Sequence, residues 1–227
     1  MSDGESINIA GVSVMICLPI KNGAGFPPRT TMSLVSTCVH ATRMGMDLVP
    51  VMEVGGVVEM VRDALIEHFM QSGKQKLFWI DADMVWTPDD FARIVALSTK
   101  YDVVGASYPA KVEGPTQYYI QFSPDMTRNE MGLMEVHGMG LGFCIMDRKV
   151  IEPLYERAPR CVNHIDKRES RAVFRTDIFN GNRRTEDMAF FSDIRDLGFK
   201  IWADPSIMLG HIGDKEWRHS ERKDSET

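Results

Sequence analysis

A succession of short apolar runs, each closed by a polar or glycine-rich turn and followed by a helical pattern, most limits the folds open to this chain. Val12 to Leu18 (VSVMICL) is continuously apolar and is bounded by Pro19 and the loop KNGAGFPPR, as expected of a strand buried on both faces. Leu48 to Val54, Leu77 to Ile80 and Asp102 to Ala106 predict three further strands. Between them, Leu34, Val35, Cys38, Val39 and Thr42 recur at helical spacing from about Thr30 to Met44, with Gly45 as a stop. Gly55-Gly56 opens a helix from Val57 to Gln71, whose stripe Met60, Val61, Ala64, Leu65, His68 and Phe69 is predicted to face the sheet, and Gly73 ends it. Thr87-Pro88-Asp89-Asp90 is a strong helix start, with a capping hydroxyl, proline at the first helical position and an acid at the third. Three strand-helix-strand units in succession imply right-handed crossovers and a mainly parallel sheet with helices on both faces.

The second half is less regular. Tyr118 to Phe122 and Gly132 to Val136 predict short antiparallel strands. They are followed by the glycine-rich His137-Gly138-Met139-Gly140-Leu141-Gly142, the apolar run Phe143 to Met146, and Asp147 capping a helix. The segment 157–184 has little periodicity and reads as a long basic loop, functional or disordered. Thr185-Glu186-Asp187 starts the last clear helix, which ends at Gly198; Phe199 to Ala203 predicts a final strand. Beyond Asp214 the chain is polar, with Trp217 its only large apolar residue, and fraying is expected. With 227 residues and 44% hydrophobic content the expectation is one domain, its nucleotide-binding half at about 8–113 and its acceptor-side half at about 114–213, before a polar tail at 214–227.

A net charge of −6 with interspersed signs excludes a molecule that is basic throughout and grips nucleic acid or an anionic membrane by charge alone. Cys17, Cys38, Cys144 and Cys161 are widely spaced, with no C-x-x-C pair, which fits free thiols in a reducing cytoplasm. No apolar run is long enough for a membrane span, and the first residues lack the order of a signal peptide, so a cytoplasmic protein is expected.

The chemistry concentrates at strand ends. Asp81-Ala82-Asp83 closes the buried run KLFWI; two carboxylates so close repel each other and call for a cation between them, a divalent metal being the natural one. In parallel sheets ligands gather at the carboxyl ends of strands, where these aspartates lie. Each remaining feature also has an ordinary reading: glycines for a tight turn, Glu186 and Asp187 as first-turn acids complementing the helix dipole, His211 as a core or surface histidine.

Taken in order, D-x-D after a buried strand, the glycine loop at Gly138 to Gly142, Thr185-Glu186-Asp187 and the late His211 resemble the GT-A-type (nucleotide-diphospho-sugar) glycosyltransferases over about Val12 to Gly213. That resemblance implies a single-domain GT-A fold, Rossmann-like, with a smaller antiparallel acceptor-side region. It implies Mn²⁺ or Mg²⁺, the former favoured by one imidazole ligand, and a UDP- or GDP-sugar donor. Asp83 and His211 are the expected metal ligands, with Asp81 at the ribose or reaching the metal through water. Pro19, Lys21, Asn22, Glu53 and Arg62 fall on the nucleotide side, although Asp63 departs from the asparagine that similar enzymes carry after that arginine. The backbone around Gly140 is expected near donor and acceptor. Asp187 is the candidate base if configuration inverts, with Glu186 orienting the acceptor. The acceptor is left open: a glycan, a small molecule, or nucleic acid with a hydroxymethylated base held by the basic segment 157–184, with Phe174 and Phe179 stacking on bases or anchoring the segment. A nucleotidyltransferase and an inactive nucleotide-sugar-binding domain are the competing readings.

Overall fold

A computed structural model describes residues 8–164 and 167–218; Asp166 and the tail beyond 218 lie outside the described residues. The first half lays down β1 (Ser13–Lys21), α1 (Pro28–Arg43), β2 (Asp47–Gly55), α2 (Val58–Ser72), β3 (Lys76–Ile80), β4 (Met84–Val85), α3 (Pro88–Leu97) and β5 (Val103–Gly105). The second half adds β6 (Ile120–Phe122), β7 (Met134–Met139), β8 (Phe143–Asp147), α4 (Arg148–Arg157), β9 (Arg160–Val162), β10 (Glu169–Arg171), β11 (Asp177–Phe179), β12 (Asn182–Arg184), α5 (Glu186–Asp196), β13 (Ile201–Ala203), β14 (Gly210–Ile212) and β15 (Glu216–Trp217). Eight strands form one sheet in the order β2-β1-β3-β8-β5-β13-β7-β6. The pairings make six of these strands run one way, with β8 and β7 reversed. The fold is therefore the expected mixed α/β one with a mainly parallel sheet.

Alternation along the strands sends side chains to two cores. Met15, Cys17, Leu77, Trp79, Cys144 and Met146 pack against α2, α4 and α5. Val14, Ile16, Phe78, Ile80, Phe143 and Ile145 pack against α1 and α3 on the other face. All five residues of β3 are buried, the apolar Leu77 to Ile80 as their run demands and Lys76 with its ammonium donating to Ser98 O at 2.8 Å and Asp147 Oδ2 at 3.0 Å. The helix start at Thr87 is a complete capping box: Thr87 Oγ1 accepts from Asp90 N at 3.1 Å and Asp90 Oδ2 accepts from Thr87 N at 2.9 Å. Gly73 terminates α2 with φ 68°, a left-handed conformation that costs other residues more.

Several expectations are corrected. β1 runs on to Lys21, so Pro19 and Lys21 belong to a strand end rather than a loop. The face α2 buries is Val61, Arg62, Asp63, Leu65, Ile66 and Phe69, with His68 exposed and Met60 and Ala64 only partly covered. On α1 the buried positions are Thr30, Ser33, Leu34, Thr37 and Ala41, leaving Val35 and Val39 exposed. The polar members of that face are used: Thr37 Oγ1 accepts from the Trp86 indole at 2.8 Å, and Ser33 Oγ donates to Trp86 O at 2.7 Å. His137 to Met139 are in strand β7, which shortens the glycine turn to Gly140-Leu141-Gly142. The supposed loop 157–184 contains two antiparallel strand pairs, β9 with β10 and β11 with β12. Nor does the chain fray at Asp214, because β15 pairs with β14, Trp217 opposite His211, and Lys215 Nζ sits 4.2 Å from the Trp217 ring centre.

Asp63 ties α2 to the segment before β11. Its Oδ1 accepts from Val173 N and Phe174 N, both at 2.9 Å. Burial nevertheless outweighs these bonds and pushes its carboxyl up to about 7. An acid whose folded-state affinity for protons exceeds its unfolded one binds more protons when folded, so its contribution to stability is fully present below the unfolded pKa and declines until pH passes the folded one. Urea unfolding across pH should show the native chain losing about 2–4 kcal/mol relative to Asp63→Asn as pH rises from roughly 4 to 7. Parallel pH profiles for the two proteins would contradict this assignment.

Candidate functional site

The carboxyl ends of β1 and β3 open onto a cavity of about 600 Å³ lined by Pro19, Lys21, Gly55, Gly56, Glu59, Arg62, Asp81, Asp83 and His211 among others. Six of the residues singled out in the sequence therefore share one wall system: Pro19, Lys21, Arg62, Asp81, Asp83 and His211. Five others, Asn22, Glu53, Gly140, Glu186 and Asp187, do not line it. Asn22 is in the turn beyond β1, its backbone N donating to Gly55 O at 2.9 Å. Glu53 accepts from Arg168 Nη2 at 2.6 Å and has His68 Nε2 at 3.4 Å. A larger cavity, about 750 Å³ beside Arg29, Trp86, Thr87 and Glu216, contains none of the predicted site residues.

Asp81 and Asp83 are set by the turn that joins β3 to β4. Asp81 N donates to Gly142 O at 3.1 Å, and Met84 N to Asp81 O at 3.1 Å. Strand β4 pairs with β14 so that His211 faces Met84, and Ile212 N donates to Asp83 O at 2.8 Å. This pairing brings the late histidine to the aspartate: His211 Nε2 is 3.4 Å from Asp83 Oδ1. On its other side His211 Nδ1 meets Pro109 O at 2.9 Å. A carbonyl can only accept, so Nδ1 carries a proton, and Nε2 is the nitrogen turned toward Asp83.

Arg62 is the cation inside this acidic group. It is 3% exposed, donates from Nη1 to Glu186 Oε1 at 3.0 Å, and reaches Asp81 Oδ1 with Nη2 at 3.4 Å. Its guanidinium carbon lies 5.7 Å from the Phe174 ring centre. Burial alone would lower the proton affinity of Arg62, but the charges of Asp81, Asp187 and Glu186 raise it, so it stays charged. Asp187, in the first turn of α5, thus belongs electrically to the same cluster. Burial raises the pKa of Asp81 and of Glu186, with Arg62 opposing both rises. At Asp83 burial also pushes upward, yet hydrogen bonds from His211 and Lys111 prevail and hold the carboxyl below its usual range.

Glycine at the β7–β8 turn is a matter of space. A Cβ on Gly140 would fall 2.1 Å from Tyr108 Oη, and one on Gly142 2.7 Å from Tyr108 Cε1. Tyr108 Oη accepts from Gly142 N at 3.3 Å, and its ring meets His211 edge-on at 5.0 Å. Tyr108, Pro109 and Lys111 were missed as site residues. The available signal was their place, Tyr108-Pro109-Ala110-Lys111, directly beyond the carboxyl end of a predicted strand.

The basic segment is largely engaged within the chain. Arg157 and Arg175 pair with Asp193, Arg168 with Glu53, and Arg184 with Asp177. Phe174 is buried, stacked on Phe190 at 4.4 Å and edge-on to Trp79 at 5.6 Å, so it anchors the segment to the core. Phe179 is exposed beneath Arg184. Among the described residues no helix is long and apolar enough to cross a membrane.

With strands ending on a carboxylate-lined cavity, the class of fold is that of an α/β protein whose cavity lies at the carboxyl ends of inner strands of the sheet. Among solved structures, the chain is similar to A197 from STIV, with a TM-score of 0.56 and 19% identity over 92% of this chain and 95% of that one. It also matches GalNAc-T7, solved with UDP, GalNAc and Mn²⁺, at a TM-score of 0.49 and 11% identity over 89% of this chain and 44% of that one. No protein-family model and no curated protein sequence matches.

Removing Arg62 should leave Asp81 and Glu186 buried without their counter-charge. Arg62→Met is expected to destabilise the fold by about 3–5 kcal/mol in urea titration, with part of that loss recovered by adding Glu186→Gln. Independent, additive effects of the two substitutions would refute the coupling.

Proposed function

We propose that this protein is a metal-dependent glycosyltransferase that moves a sugar from a nucleotide-sugar donor of the UDP or GDP type to a hydroxyl acceptor. The observation that carries the reading is the convergence of Asp81, Asp83, His211 and Arg62 on one cavity, with Glu186 and Asp187 joined to it through Arg62.

Among the described residues no group of three or more His, Cys, Asp or Glu side chains is arranged to hold an ion. Asp83 and His211 supply two, one carboxylate and one imidazole. Mg²⁺ typically takes one or two carboxylates and completes its shell with water and substrate phosphates, and an imidazole shifts the preference toward Mn²⁺. The pair therefore fits an ion bound together with the diphosphate of a donor. Bound there, such an ion would neutralise charge developing on the leaving diphosphate.

The chain's own groups supply the rest. The backbone ends of β1 and β2, with Lys21, Gly55 and Gly56, form the wall available to the nucleoside, and Asp81 stands where a ribose hydroxyl can be held. Arg62 fixes Glu186, which is thereby positioned to orient an acceptor hydroxyl. Asp187, one residue on, is the base that takes the acceptor proton in an inverting transfer. The arginine partners found in 157–184 give no special support to a nucleic-acid acceptor.

Donor hydrolysis or transfer, followed with Mn²⁺ across UDP- and GDP-sugars, tests the activity. Asp83→Ala should abolish turnover while leaving the melting temperature near that of the native chain, and His211→Ala should weaken metal-dependent donor binding in parallel. Full activity in Asp83→Ala would sink the reading. Asp187→Asn should lower kcat by about 10²–10⁴-fold with donor binding unchanged; an unaltered kcat would remove Asp187 from the role of base.

A further inference from the structure

The segment following β5 forms a small strap over the site. Ala110 N donates to Gln117 O at 2.8 Å and Pro109 bridges to Tyr118, so the strap is closed on itself. It makes three contacts with the site: Tyr108 Oη with Gly142 N, Pro109 O with His211 Nδ1, and Lys111 Nζ with Asp83 Oδ2 at 2.5 Å. The last is unusual in its placement. Asp83 has one oxygen toward His211 and the other capped by the lysine ammonium, so the carboxylate proposed for a metal already holds a cation.

Lys111 is built into this position. Its stem runs past Gly213, where a Cβ would stand 3.1 Å from Lys111 Cδ. A second ion pair, Lys215 Nζ to Glu113 Oε1 at 2.7 Å, ties the strap to the turn between β14 and β15. The Lys111–Asp83 pair is about a third exposed on both sides, so solvent and ions can reach it and the pair can exchange.

We propose that Lys111 is an exchangeable counter-ion of Asp83 that competes with a divalent cation, so that metal binds weakly until an anionic diphosphate offers the ammonium another partner. The physical basis is simple: an ammonium and a divalent ion on the same carboxylate repel each other, whereas an ammonium beside a diphosphate is attracted. Metal and donor binding are then mutually reinforcing, as linkage requires. Lys111 and Pro109 share one strap, so the lysine that caps Asp83 lies two positions from the backbone carbonyl that fixes the His211 ring. The inference rests on the reading of Asp83 as a metal carboxylate, but it does not require any particular sugar or acceptor.

The test is direct Mn²⁺ binding, by the free-ion electron paramagnetic resonance signal or calorimetry, with and without UDP, on the full chain. Lys111→Met keeps the stem and removes the charge. It should bind Mn²⁺ alone at least ten-fold more tightly than the native chain, and UDP should improve its Mn²⁺ affinity by a smaller factor than in the native chain. Adding Asp83→Asn should remove the gain. Equal or weaker Mn²⁺ affinity in Lys111→Met, with a native melting profile, overturns the proposal; Lys111→Gln serves as the second variant if the methionine form does not fold. Failure of sugar transfer with the Mn²⁺ result intact would count against the transferase and leave the exchange standing.

Discussion

One buried guanidinium holds the two halves of the site together. Arg62 lies on α2, and its partners come from the end of β3 and from the first turn of α5, 124 positions further along the chain. Three carboxylates, Asp81, Glu186 and Asp187, act on it electrically. The acids around this buried cation depend on it, because removing the guanidinium leaves negative charge without compensation in a poorly solvated place. The neighbouring Asp63 does the complementary task, taking two backbone N–H groups from residues 173 and 174 and so seating Phe174 against Phe190 and the Arg62 guanidinium. Two adjacent charged residues on one helix turn thus position both the chemistry and the segment that covers it.

The reversed strand β8 gives that cluster its roof. Inserted between β3 and β5, it delivers the Gly140-Leu141-Gly142 turn to the end of β3, where Gly142 O accepts from Asp81 N. Tyr108 fills the space that side chains at 140 and 142 would need. Around that turn the site is consequently assembled from strand ends and close backbone approaches, with the long side chains of Arg62 and Lys111 as the prominent exceptions.

What could be read from the residues follows from how each element is stabilised. β3 was legible because Leu77 to Ile80, buried on both faces, form a continuous apolar run, and α3 because its capping box is local. The inward face of α2 was misjudged because hydrophobic periodicity cannot register Arg62 and Asp63, which are buried by virtue of partners more than a hundred positions away. The same blindness hid the face of α1, where Ser33 and Thr37 are inside to serve Trp86. β9 to β12 are three residues each, too short for alternation to emerge, and the partners of Arg168 and Arg175 in the same segment, Glu53 and Asp193, lie outside it. Lys111 offered no signal beyond its place after a predicted strand end, since a single lysine in irregular chain acquires meaning only when the strap folds over Asp83.

The position of β8 bears on how the chain must come into being. As a ribosome releases the first hundred or so residues, β1, β2 and β3 can pair in parallel, but the free edge of β3 waits for Phe143–Asp147, and β5 pairs only with β8 and β13. A nascent chain at that stage carries an apolar strand edge open to other strands, a recognised route to misassembly. The strand that leads into both aspartates is therefore made early and has its second edge covered only when β8 follows.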